Sequence, residues 1–182
     1  MRIKTKNMKS KFIVIIFLFG LVPILHAQET EETKGKEAKN LITFSFGYTF
    51  VPKATSIGGT EPNGIFVPSV GLDYFRKVAK RWEVGVMIDL ELADYVIFEK
   101  NLERERALVI AAVATFMLTE NINFFAGAGA ELERNHNLFV MRLGTEYAFR
   151  FNKGWTLAPG FFYDIKEGYD TWSLALAFGK EF

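Results

Sequence analysis

The 182-residue chain has no cysteine. That excludes disulfides, thiolate metal sites and cysteine nucleophiles, and it suits an oxidising compartment. Histidine is scarce: His26 and His136 are the only two. No residues are spaced as a metal cluster, no glycine loop is built to cradle phosphate, and no nucleophile arrangement stands out. No cofactor is expected. No basic stripe suits nucleic acid. No apolar run reaches the ~20 residues that a spanning helix needs; Phe12 to Leu25 has 14.

What is present begins with an export pattern. Residues 1–11 are basic, Phe12 to Leu25 is apolar, and Leu25-His26-Ala27 precedes Gln28 with a small residue at the cut. This three-part layout predicts a cleaved signal peptide over 1–27. The signal carries five basic residues and no acidic one; taking them from 22 leaves 17 basic against 21 acidic, so the mature chain is net acidic. Residues 28–40, QETEETKGKEAKN, are polar without apolar periodicity. They are expected to form a disordered periplasmic lead-in.

From residue 41 onward the chain alternates with period two, as a strand between lipid and a lumen must. Ile42, Phe44, Phe46 and Tyr48 alternate with Thr43, Ser45, Gly47 and Thr49. Trp82, Val84, Val86, Ile88 and Leu90 alternate with Glu83, Gly85, Met87, Asp89 and Glu91. Eight such segments follow one another, the last being TWSLALAFGKEF. In the fourth, Leu108 to Leu118, both faces are apolar, so its parity stays open. The bulky faces hold almost no charge at mid-strand; Arg76 and Lys180 stand near strand ends, where the cost of a charge in lipid falls away. Glycines gather on the other face, which leaves room inside a barrel just wide enough for side chains. Connections alternate short and long, the longest being 52–64 and 93–106. Short periplasmic turns and longer outer loops follow that rule. Aromatic residues sit near strand ends, among them Trp82 and Trp155 at one rim and Phe139 and Trp172 at the other. Pro68 and Pro159 break the pattern, because each removes a ladder hydrogen bond. A soluble barrel would put its bulky face inward; here glycine and charge occupy the small face.

The signal, the strand count and the final strand together resemble the small eight-stranded outer-membrane barrels of the OmpX and OmpA-barrel type, the porin-like family. The likeness covers residues 41–182. It implies an all-β, eight-stranded antiparallel up-and-down transmembrane barrel in the outer membrane of a Gram-negative bacterium, surrounded by outer-membrane lipid. In that family the last strand ends in an aromatic residue read by the barrel-assembly machinery. Phe182 matches that position, with Phe178 on the same face. No peptidoglycan-binding domain is expected after the barrel, unlike the full-length OmpA pattern. Members of the family serve as adhesins, lipid-modifying enzymes, small channels or structural proteins, so one activity is not implied.

The inner face is expected to carry a charge network of Asp89, Glu91, Glu131, Arg142, Glu146, Arg150 and Asp164. Hairpin spacing puts Arg142 beside Asp164 and diagonal to Glu131. Such charges must be paired if buried, which favours a filled lumen and a structural or surface-recognition role. The excess of carboxylates keeps a small cation-preferring channel as an alternative. A lipid-modifying enzyme would need His136, but no serine lies in its loop, and no catalytic set is expected. An extracellular ligand would meet the long loops 52–64 and 93–106. Within the second loop, Tyr95-Val96-Ile97-Phe98 is apolar. It would either extend the barrel or offer an adhesive edge.

Overall fold

The computed structural model describes residues 39–182, except Pro62 and Asn135. The signal at 1–27 and nearly all of the lead-in at 28–40 lie outside the described residues. Twelve strands are present among those described: β1 (Asn40–Val51), β2 (Ala54–Ser56), β3 (Ile65–Ala79), β4 (Trp82–Glu91), β5 (Asp94–Ile97), β6 (Leu102–Glu105), β7 (Leu108–Met117), β8 (Ile122–Leu132), β9 (Leu138–Tyr147), β10 (Phe149–Phe151), β11 (Trp155–Lys166) and β12 (Asp170–Glu181).

Eight of them close a barrel. The order is β1-β3-β4-β7-β8-β9-β11-β12, antiparallel throughout, with β10 continuing β9 past Ala148. β12 returns to β1 from Leu41↔Glu181 to Phe50↔Trp172. Phe182 seals this seam: its N–H donates to the Asn40 carbonyl at 2.9 Å, and its carbonyl accepts the Asn40 N–H at 3.0 Å. Closure leaves no strand edge, which is the condition for β-structure in lipid.

The alternation places side chains as period two requires. Phe44 is 54% exposed and Ser45 5%. The fourth barrel strand, β7, takes one parity: Val109, Ala111, Val113 and Thr115 are buried inside, and Leu108, Ile110, Ala112 and Ala114 face outward. Its inner face is apolar because it meets buried aromatic side chains rather than water.

Both prolines stand at lapses in a ladder, without a bulge. Pro68 lies one residue beyond Ser69↔Glu91, the last β3–β4 pair, and its carbonyl still accepts the Leu92 N–H at 2.8 Å. Pro159 lies in a two-residue gap in the β11 pairing, where Ala158 and Pro159 stand opposite Ala148 and Tyr147, and the register is the same on both sides. The missing donors are the cause of both lapses.

The two long connections are partly ordered as strands. β2 from one and the β5–β6 hairpin from the other form a second sheet, in the order β2-β5-β6. Tyr95 and Ile97 are buried in it, and Phe98 is exposed. The apolar run is therefore mostly the core of this small sheet rather than an adhesive edge. Lys166 and Asp170 also belong to strands and not to the turn between them.

Candidate functional site

The lumen is filled in layers. At the mouth beside the long connections, Val51, Val67 and Leu138 point inward from the barrel and meet Ala54, Tyr95 and Ile97 of the second sheet, with Tyr169. The second sheet is thus a lid with an apolar underside. Its seating is a hydrophobic contact, the non-directional part of the attachment.

Beneath the lid lies the first ionic layer. Lys166 Nζ stands 2.6 Å from Glu131 and 3.2 Å from Glu91. Tyr95 donates to Glu91 at 2.5 Å, and Tyr169 donates to Glu131 at 2.8 Å. Arg104, from β6 of the lid, reaches down to Glu131 at 2.7 Å, off the hydrogen-bonding direction. Its Nη1 donates to the His136 carbonyl at 2.6 Å and lies 3.4 Å from Glu133. Arg104 and Glu131 are fully buried. Burial, with the carboxylate of Glu91 beside it, pushes the Tyr95 phenol up; burial does the same for Tyr169. Both remain protonated and act as donors.

The next layer is built on Arg142. Its Nε and Nη2 fork the two oxygens of Asp164 at 2.7 and 2.8 Å, and Nη1 donates to Asp89. The guanidinium lies 4.3 Å over the Phe162 ring. Thr43 donates to Asp73 at 2.8 Å nearby. Arg142 and Glu131 belong to separate layers: Arg142 takes Asp89 as its second partner, and Glu131 takes Arg104 and Lys166. A third layer is apolar, with Phe75, Met87, Ala111, Val113, Phe125 and Phe162 packed together across the barrel. At the opposite mouth, where the short turns lie, Asn123 donates to Glu146 at 2.8 Å, and Arg150 pairs with Glu181 at 3.3 Å on a half-exposed rim.

Two buried cations, Arg104 and Lys166, were not expected on the inner face, and neither was the aromatic layer. Lys166 shares the parity of Asp164, so alternation carries a signal for it. Arg104 has no such signal, because only the folding back of β6 brings it inside. Phe75, Phe125 and Phe162 occupy positions that the barrel rule reserves for small or polar residues. His136 enters the site through its backbone alone, its N–H donating to Glu133 at 3.2 Å. Among the described residues no group of three histidine or carboxylate side chains is arranged to hold a metal ion.

No protein-family model matches the chain, and no curated protein matches it in sequence. Solved structures do. The attachment invasion locus protein Ail of Yersinia pestis superposes with a TM-score of 0.54 at 12% identity, over 81% of this chain and 100% of that one. The same protein in complex with the heparin analogue sucrose octasulfate gives 0.54 at 10% identity, over 81% and 100%. Neisserial surface protein A gives 0.46 at 12% identity, over 81% and 100%. The fold is that of a small outer-membrane barrel. Its outward wall is a belt of exposed Phe, Leu, Ile and Val side chains. Only hydrocarbon can cover such a belt around a closed sheet. The chain is a transmembrane β-barrel with the fold of the small outer-membrane barrels.

Proposed function

We propose that this barrel is a closed scaffold that acts through its outer surface, recognising a ligand outside the cell, rather than through its lumen. The observation that carries the reading is the continuous filling of the lumen: an apolar lid, two ionic layers and a layer of aromatic rings. A conducting pore needs a path of water past such layers. Here the largest fully buried side chains are Arg104, Arg142 and Tyr95, two of them supplied by the lid.

The surface that would meet a ligand is the top of the lid and its neighbouring loops, within 52–64 and 93–106. Its exposed charges lean acidic, with Glu61, Asp94, Glu103, Glu105, Glu167 and Asp170 against Lys53, Lys100, Arg106 and Arg134. Ail was solved with a polysulfated sugar; this chain's outer surface favours a cationic partner instead. The terminal aromatic residues Phe178 and Phe182 face outward, which supports a part in recognition by the assembly machinery.

Purified protein in a planar bilayer is expected to carry no current, and Arg142→Ala none either, since the aromatic layer stays in place. Cells displaying the barrel are expected to retain a polylysine probe and not heparin. Stepwise cation-selective current in the wild type would overturn the closed-lumen reading in favour of a small channel. Retention of heparin would overturn the assignment of ligand charge.

A further inference from the structure

The lipid-facing wall is bulky along most strands, as Ile42, Phe44, Phe46 and Tyr48 show on β1. On β7 and β8 it is not. There Ala112 pairs with Ala128 and Ala114 with Ala126, all on the outward parity. Beside Ala114 and Ala126 the wall has a shallow, open groove of about 480 Å3. Trp82, Phe116 and Phe124 line its periplasmic end, the first two with rings 5.0 Å apart. Leu143 and Tyr163 bound it further up the wall. Thr145 also lines it, but its hydroxyl is spent on the Asn123 carbonyl at 2.9 Å. The groove therefore offers apolar surface inside a belt that water does not reach, and hydrocarbon is what surrounds it.

The charges at its lower end say which hydrocarbon. Lys80 and Arg81 form the turn that leads into Trp82, and both are exposed. The Arg81 carbonyl accepts the Met117 N–H at 2.9 Å, which fixes this turn against the end of β7. Across the β7–β8 turn, Arg150 donates to the Glu120 carbonyl. Around the whole periplasmic end the exposed charged residues among those described are Lys39, Arg76, Lys80, Arg81, Arg150 and Lys153 against Glu120, with Glu83 and Glu181 half-buried beside Lys77 and Lys180, and Arg150 paired with Glu181. The outer end has the opposite bias. Basic residues beside a membrane surface attract anionic headgroups by about 1 kcal/mol each.

We propose that the groove and the Lys80–Arg81 turn together form a docking site for an anionic glycerophospholipid of the periplasmic leaflet. An acyl chain lies on Ala114 and Ala126 between the aromatic walls, and the phosphate meets Lys80 and Arg81.

The test uses the full barrel in neutral detergent, with Trp155→Phe and Trp172→Phe so that Trp82 is the one remaining tryptophan of the three. Brominated phosphatidylglycerol and brominated phosphatidylcholine are titrated, and quenching of Trp82 is read. The proposal expects tighter saturation with phosphatidylglycerol. Lys80→Gln and Arg81→Gln, on an exposed turn, each weaken that lipid about fivefold and leave phosphatidylcholine unchanged. Ala126→Phe, which fills the groove, removes saturable quenching by both. Heat-modifiable gel migration checks that each variant is folded; Ala114→Leu is the milder filling variant if Ala126→Phe is not. Equal affinity for the two lipids would overturn the headgroup assignment. Saturable quenching that survives a folded groove-filling variant would overturn the site.

Discussion

Replacing Arg142 by methionine tests the energetics of the filled lumen most directly. The guanidinium makes two short bonds to Asp164 and one to Asp89, and it lies over the Phe162 ring. Hydrogen bonds to charged groups contribute about 1.5–3 kcal/mol each, so simple addition would give a large figure. That addition overstates the loss, because the intact cluster already bears the desolvation of three charges. The governing quantity is what remains: two carboxylates, Asp89 at 7% and Asp164 at 2% exposure, without a cation. Removing one partner of a buried ion pair costs about 3–5 kcal/mol. Adding Asp89→Asn and Asp164→Asn takes the charges away and should recover most of that cost, since neutral replacement of a whole buried cluster is often near zero. Urea unfolding in lipid vesicles, followed by tryptophan fluorescence, measures both variants. A single variant within about 1 kcal/mol of wild type, the range of an exposed pair, would refute the reasoning. So would a triple variant as unstable as the single one.

Other outcomes follow from the wall and the lid. Leu72→Arg, outward and at mid-strand, should cost about 2–4 kcal/mol in the same vesicle assay, whereas Leu118→Arg near the periplasmic rim should cost about 0–1. A Cβ at Gly127 would run into the Ala112 carbonyl and Val113; Gly127→Ala should destabilise the barrel by about 1–3 kcal/mol, read from its urea midpoint. Tyr95 is held protonated, with its phenol pushed above the ordinary value near 10. Its support of the lid is therefore complete below pH ~10 and is lost as pH climbs through the raised value. Proteolysis in the 98–106 segment should accelerate at high pH in the wild type and depend less on pH in Tyr95→Phe.

Most of the wall was legible because one physical rule governs it: lipid outside and limited space inside force alternation with a small inner face. Ile42 through Phe50 shows that rule without exception. Where the inside is apolar, the rule loses its contrast, which is why Val109, Ala111 and Val113 left the parity of β7 open. The ionic layers were legible in part. Arg142 and Asp164 face each other by hairpin arithmetic, but Asp89 joins them from a strand far around the barrel, and no pairing rule reaches that far. The lid was least legible. β2, β5 and β6 are three or four residues long, too short for periodicity to mark, and they exist because the barrel mouth gives them an apolar seat.

That seat constrains how the outer loops can change. Connections on a barrel are ordinarily the segments freest to lengthen, vary or accept foreign sequence. Here much of the long connections is interior: Ala54, Tyr95, Ile97 and Arg104 are as buried as the wall beneath them. An insertion within 94–97 or 102–105 would lift Arg104 off Glu131 and uncover the mouth. Freedom to diversify is confined to the tips around Ile57 to Gly59 and Phe98 to Asn101. A peptide grafted at either tip would be shown to the outside without disturbing the barrel, and one placed a few residues away would unseat its lid.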